Sequence, residues 1–187
     1  DQVKPGLGQL GAFLRGLHDR RAGHPVKLEV VQTKLARFRV SLEPEKLPVL
    51  RSLFDAVQDA LESRVLEVEA RLCHLDLWRA NVLYGNGSVD GGRVLVVDWG
   101  RSNWDDPARD HAILMTGTLD QLPADDAVQI AFKLVEAEGL TARFPAYVAL
   151  QTLHDLHWFL AHEPGGFQAA LAEKLPRALM VLETRQG

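Results

Sequence analysis

One cysteine among 187 residues, Cys73, excludes an intramolecular disulfide and any metal site built from four thiolates. A reducing, cytoplasmic setting is the expectation that follows. Long apolar runs are missing too: no stretch reaches bilayer-spanning length, and no charged-then-apolar segment opens the chain as a signal would. Positive charge is not in excess. Lysine and arginine total 21 against 25 acidic residues, a net charge of -4, so the balance recruits neither nucleic acid nor an anionic membrane. Internal repeats and low-complexity linkers are also absent. The first residue is Asp1 rather than methionine, which points to a fragment or a processed product.

What remains is an ordinary globular composition, 47% apolar and 25% charged, with enough apolar mass for a real core. From Gly8 to Arg21 the residues Leu10, Phe13, Leu14 and Leu17 follow the i, i+3, i+4, i+7 spacing of one helical face, and Gly23 and Pro25 end that pattern. Lys27 to Leu42 is mixed and only weakly helical. Pro44 opens a clearer helix, lined by Leu47, Leu50, Leu53, Phe54, Val57 and Leu61 and running to about Val65. Three short segments, Ala70–Cys73, Val82–Tyr84 and Arg93–Val97, then read as strands, the last two joined by the hairpin signal GNGSVDGG. Helical patterns return over Pro107–Thr116, Ala124–Glu138, Thr141–His162 and Phe167–Glu183. The expectation is a mainly α chain with a small β-hairpin element, an α+β fold.

The segment GLGQLG, Gly6–Gly11, has the spacing of a phosphate-cradling loop, but that mechanism needs a preceding strand to aim it. Only a few residues precede it, and it reads as the entry to a helix.

The chemistry concentrates in CHLDLWRAN, Cys73–Asn81, which sets His74, Asp76 and Asn81 among apolar neighbours. Asp98 ends the apolar run VLVV, and a strand, a turn, a second strand, a hairpin and a third strand would bring it beside the Asp76–Asn81 loop. Carboxylate and amide oxygens are hard donors that suit magnesium, while His74 is the only nitrogen donor close by, which argues against zinc.

The pattern His-x-Asp-x-x-x-x-Asn, followed by an apolar strand ending in Asp, resembles the catalytic core of the aminoglycoside phosphotransferase and choline kinase families, which share the kinase-like fold. Asp98-Trp99-Gly100 also resembles the metal-binding Asp-Phe-Gly of protein kinases. The resemblance implies that Asp76 orients an acceptor hydroxyl and takes its proton, and that Asn81 and Asp98 hold Mg2+ on the phosphates of ATP or another nucleoside triphosphate. It gives His74 an architectural place, bracing the loop against the strand that carries Asp98. In DDPARDHA it makes Asp110 the acceptor of hydrogen bonds from the loop backbone, whereas Asp106 before Pro107 reads as a helix N-cap.

This chain departs from the family pattern where Leu75 replaces the glycine after the histidine, and where Arg79 and Ala80 replace Pro-Gly before the asparagine. Arg79 reads equally as a phosphate contact or as a solvated arginine. Trp78, Trp99 and Trp104 read as core packing ahead of a ligand cage. In HDLHWFLAHE the expectation is a core-facing Trp158 with His154 and His157 toward solvent.

The resemblance covers only the carboxy-terminal lobe of the family fold. No glycine loop followed by a strand lysine is present, and Lys27 and Lys34 sit on no convincing strand. Residues 1–187 are therefore expected to be the catalytic lobe of a longer protein, lacking its N-terminal nucleotide-binding lobe and nearly inactive alone. The acceptor is expected to be a small hydroxylated molecule such as an aminoglycoside, amino alcohol or sugar. Charges in Thr141–Gly187 balance, Asp155, Glu163, Glu173 and Glu183 against Arg143, Lys174, Arg177 and Arg185, which weakens the polycation reading. Two rivals remain: a kinase-like module that binds without catalysis, and a magnesium-dependent phosphohydrolase, for which Asp105 and Asp106 would be the additional carboxylates.

Overall fold

Leu10, Leu14 and Leu17 lie buried along one face of the first helix, α1 (Val3–His18), in a computed structural model that describes residues 3–43, 47–85 and 93–184. The helix begins at Val3 rather than Gly8 and stops at His18. The residues after it form a strand, β1 (Arg21–Pro25), that the sequence pattern does not announce. It exists because β2 (Glu69–Cys73) lies antiparallel beside it, Arg71 opposite Arg21. Gly6, Gly8 and Gly11 are all inside α1, so GLGQLG is helix and not a phosphate loop. At Gly11 the missing side chain allows close packing, since a Cβ there would stand 2.8 Å from Leu134 Cδ2.

The mixed segment is fully helical as α2 (Leu28–Leu42), because Val31, Leu35, Phe38 and Leu42 share one buried face. A 3-10 turn over Pro48–Leu50 leads into α3 (Arg51–Glu62), which buries Leu53, Phe54, Val57 and Ala60. Pro44, expected to open this helix, lies outside the described residues. Its end comes at Glu62 rather than Val65.

β3 (Val82–Gly85) and β4 (Arg93–Val96) pair antiparallel, Val82 opposite Val96 and Gly85 opposite Arg93, as the hairpin signal predicted. The turn itself lies outside the described residues. A fifth strand, β5 (Asn103–Asp105), adds to the free edge of β2, giving the order β1-β2-β5.

Four helices complete the described chain: α4 (Pro107–Gly117), α5 (Ala124–Glu136), α6 (Phe144–His162) and α7 (Phe167–Thr184). Asp106 caps α4 by accepting from the Ala108 backbone N–H at 3.0 Å, and Pro107 sits where no donor is needed. From Pro107 to Thr116 only Arg109 is not buried, so α4 is a core helix, wedged against β2, α5 and α6. α6 is its counterpart, burying Phe144, Tyr147, Leu150, Leu153 and Leu156 against α2, α3, α4 and α7. The fold is thus mainly α with two small antiparallel sheets. Among the described residues no helix is long and apolar enough to cross a membrane.

Two side-chain expectations are reversed. Trp78 is 46% exposed and Trp99 and Trp104 are 41% exposed, so none is core packing. On α6, Leu153 and Leu156 take the core-facing stripe and leave Trp158 exposed, stacked on His162 at 5.1 Å. His154 and His157 are half-exposed, open to solvent on one side as expected, while their rings also lie 6.0 and 5.3 Å from that of Phe38.

Candidate active site

β2 and β3 belong to different sheets, and the loop between them, residues 74–81, crosses directly above α4 and is held by its side chains and backbone. Asp110, fully buried on α4, accepts from the backbone N–H of His74 at 2.7 Å and of Leu75 at 2.6 Å. Arg79 N–H donates to the Gly117 carbonyl at 2.8 Å, Thr118 Oγ1 donates to the Leu77 carbonyl at 2.9 Å, and the Leu77 side chain is fully buried. Leu75 adopts φ +63°, a left-handed conformation costing on the order of 1–2 kcal/mol for a residue with a Cβ. Two charge-assisted hydrogen bonds to one carboxylate are enough to offset that cost.

The loop then grips the strand end that carries Asp98. His74, buried, donates from Nε2 to the Val97 carbonyl at 3.0 Å, and Val97 N–H donates to the Asn81 carbonyl at 3.0 Å. Asn81 Nδ2 donates to the Asp76 carbonyl at 2.9 Å and to Asp76 Oδ2 at 3.0 Å, so that Oδ1 is the acceptor atom of the amide. Asp98 has φ +58°, tolerated by aspartate, and its Oδ1 accepts from Gly100 N–H at 3.4 Å. Asp76 and Asn81 are therefore in direct contact, and Asp98 follows the residue both His74 and Asn81 hold. The Asp98 side chain is exposed and that of Asp76 is 19% accessible, open enough to meet a ligand.

The Asn81 amide oxygen and the Asp98 carboxylate are hard oxygen donors, of the type that fits a divalent cation such as magnesium. Asp105 and Asp106 do not add to them. Asp105 is in a very close contact with Arg109, and Asp106, buried, caps α4 and accepts from Arg143 Nε at 2.7 Å.

Of the other residues singled out, Arg79 leans toward Asp120, 3.7 Å away, and Trp78 lies over Gly117. Trp99 packs its ring edge-on to His74 at 4.7 Å and donates from Nε1 to the Val96 carbonyl at 3.2 Å. Among the described residues the basic groups of Thr141–Gly187 are engaged internally, Lys174 with Asp155 at 3.1 Å, Arg143 with Asp106, and Arg177 with the carbonyls of Leu119, Asp120 and Leu122, whereas Glu163, Glu173 and Glu183 are exposed.

Sequence reasoning missed two groups. Arg101 Nη1 stands 3.5 Å from Asp76 Oδ1. Behind the loop, His18 at the end of α1 bonds Asp110 Oδ2 at 3.2 Å and Glu138 Oε2 at 2.7 Å, and His111 Nε2 bonds Glu138 Oε1 at 2.9 Å. Burial alone would lower the pKa of His18, but the two carboxylates raise it to about 9. Burial opposes ionisation of Glu138, yet His111 and His18 bring it down to about 2. The only hint in the sequence was a polar Asp110-His111 pair inside an otherwise apolar helix. The ligand-capable atoms of His18, His111 and Glu138 lie within 4.8 Å of one another. Both ring nitrogens of His18, both oxygens of Glu138 and Nε2 of His111 are engaged in hydrogen bonds among themselves and with Asp110, while His111 Nδ1 is buried without a partner among the described residues.

A model of the phosphotransferase enzyme family matches residues 1–144. Among solved structures, a choline/ethanolamine kinase family protein from Mesorhizobium loti aligns with a TM-score of 0.65 at 20% identity, covering 95% of this chain and 61% of that one. The choline kinase LicA from Streptococcus pneumoniae aligns with a TM-score of 0.60 at 17% identity, over 97% of this chain and 64% of that one. A spectinomycin phosphotransferase in complex with ADP and spectinomycin gives 0.57 at 16%, over 94% and 64%. At such identities the likeness is one of fold, and the chain spans a little over three fifths of the length of these structures. No curated protein sequence matches it.

Proposed function

The chain belongs to the phosphotransferase enzyme family, and from that premise we propose that residues 1–187 are the carboxy-terminal catalytic lobe of a small-molecule kinase. It would move the γ-phosphoryl group of ATP, or of another nucleoside triphosphate, to a hydroxyl of its acceptor. An amino-terminal nucleotide-binding lobe would lie outside this sequence, a reading supported by the share of its structural relatives that the chain spans.

In this reading Asp76 orients the acceptor hydroxyl and receives its proton. Asn81 Oδ1 and the Asp98 carboxylate are the groups that would hold magnesium. When bound, that ion supplies charge neutralisation on the phosphates being transferred. His74 and Asp110 do no chemistry; they fix the loop so that Asp76 and Asn81 meet the acceptor and the nucleotide without reorganisation. One observation supports the proposal above the others: a 3.0 Å hydrogen bond joins Asn81 to Asp76, and the Asn81 carbonyl accepts at 3.0 Å from Val97, the residue before Asp98.

The acceptor is a small hydroxylated molecule, of which an amino alcohol, a sugar or an aminoglycoside is an example. The names of the similar structures, kinases of choline or ethanolamine and of spectinomycin, support that class.

The test uses the full-length protein with ATP, magnesium and a panel of alcohols. Asp76→Asn is expected to lower turnover about a hundredfold or more while the protein still melts cooperatively. Asp98→Ala should lose magnesium-nucleotide binding with the fold intact. Unchanged turnover in Asp76→Asn would remove Asp76 from the mechanism, and phosphate release without nucleotide would replace the kinase by a hydrolase.

A further inference from the structure

A cavity of about 120 Å3 opens between the first turns of α2, the loop residue Leu75 and strand β5. Lys27, Lys34 and Arg109 line it, together with the exposed apolar surfaces of Trp104 and Val30. Asp105 is the one acid in its wall, and it is already committed to Arg109. Lys34 is partly buried and makes no hydrogen bond or ion pair among the described residues. Burial, then the charge of Arg109 and to a smaller extent those of Arg37 and Arg101, push its pKa down to about 8, while Asp105, second only to Arg109 among the neighbouring charges, pulls the other way. At neutral pH it still carries its proton, so the cavity holds a cation that Asp105, shared with Arg109, compensates only in part and that an anion would stabilise.

The cavity adjoins the candidate catalytic loop. Leu75 precedes Asp76, and Arg101, whose charge acts on Lys34, also pairs with Asp76 at 3.5 Å. An acceptor bound at Asp76 and long enough to reach past Leu75 would bring its next substituents to these cations. An ammonium group would meet repulsion there, with the only nearby carboxylate of the wall engaged.

We propose that this cavity is an anion subsite of the acceptor pocket, in which Lys34 and Lys27, beside Arg109, bind a carboxylate or phosphate group carried by the acceptor. The assignment of the ligand as acceptor rests on the kinase reading; the anion site itself does not. It favours a hydroxy acid or a phosphorylated alcohol over an amino alcohol or an aminoglycoside, and Trp104 and Val30 provide apolar surface for its carbon skeleton.

Four probes share one three-carbon skeleton and differ only in the terminal group: glycerate, glycerol 3-phosphate, glycerol and 3-amino-1,2-propanediol. Each is titrated into the full-length protein without nucleotide, following tryptophan fluorescence and the NMR resonance of the Lys34 side chain. At least one anionic probe should bind and move the Lys34 titration upward from about 8, and the comparison of glycerate with the phosphate ester identifies the anion. Glycerol and the amine should bind on the order of tenfold more weakly or not at all. Lys34→Met should weaken anion binding by a similar factor with an unchanged or higher melting temperature, and Lys34→Arg should retain it. Equal binding of the neutral or cationic probe, or unchanged anion binding in Lys34→Met, overturns the subsite. Anion binding at Lys34 with no phosphoryl transfer to any alcohol would leave the subsite standing and end the kinase reading; Asp76-dependent transfer to an ammonium-bearing alcohol, without anion binding, would do the reverse.

Discussion

Asp110 shows how much one buried side chain can fix. Both of its oxygens hold backbone N–H groups of the loop, and His18 approaches one of them from behind at 3.2 Å. Asp110→Asn replaces one of these acceptors by a donor facing a donor, and leaves His18 without part of its counter-charge. A loss of about 3–5 kcal/mol in denaturant unfolding is expected, and stability within about 1 kcal/mol of the parent would show that the clamp carries little energy. Tyr147 is the contrasting case. Its hydroxyl is buried with no hydrogen-bond partner among the described residues, and burial raises its pKa well above the ordinary value. Tyr147→Phe should be neutral or stabilise by up to about 1 kcal/mol; a clear destabilisation would reveal a bond that the hydroxyl makes in solution.

At the scale of elements, the end of α4 and the candidate loop are packed backbone to backbone. A Cβ at Gly117 would stand 3.0 Å from Trp78 Cβ and 3.4 Å from its Cα, neither of which is the movable tip of a side chain. Gly117→Ala should therefore cost about 1–3 kcal/mol and, in the full-length protein, reduce turnover beyond what the stability change explains. Gly8→Ala is the matched control on α1, where an added Cβ meets nothing within 4 Å. It should stabilise by about 0.5–1 kcal/mol through helix propensity and leave nucleotide binding unchanged. Impaired nucleotide binding in Gly8→Ala would revive GLGQLG as a phosphate loop.

For the molecule as a whole, His18 joins α1 to α4 and to the residue range just beyond α5, and its protonation links their packing to pH. Its folded pKa, about 9, lies above the ordinary 6.5, so its contribution is fully present below pH 6.5 and is lost as pH rises through 9. Glu138 runs the other way: with a folded pKa of about 2 against 4.5, its contribution is present above pH 4.5 and is lost as pH falls through 2. Stability measured by urea unfolding should thus be greatest between these limits. Its alkaline limb should be worth on the order of 3 kcal/mol. The two shifts describe one contact from its two ends and do not add. His18→Gln is expected to flatten the change between pH 6.5 and 9; a profile that keeps its slope there would show that His18 does not carry it.

The sequence by itself determined what depends on near neighbours along the chain. The leucine stripe of α1, the cap of α4 by Asp106 before Pro107, the pairing of β3 with β4, and the spacing of His74, Asp76, Asn81 and Asp98 are all local patterns of period, capping or fixed offset. Tertiary structure alone decided what needs a distant partner. β1 and β5 carry no alternation and are strands only because both edges of β2 accept them. The weak pattern of α2 is helical because the core covers one face. His18 meets Asp110 and Glu138, Arg101 meets Asp76, and Lys34 is set among Arg109, Arg37 and Arg101 with Asp105 as its opposing charge, through folding that joins segments far apart in sequence. Local propensity is written in a few consecutive residues; burial and charge balance are sums over neighbours that only the folded chain supplies.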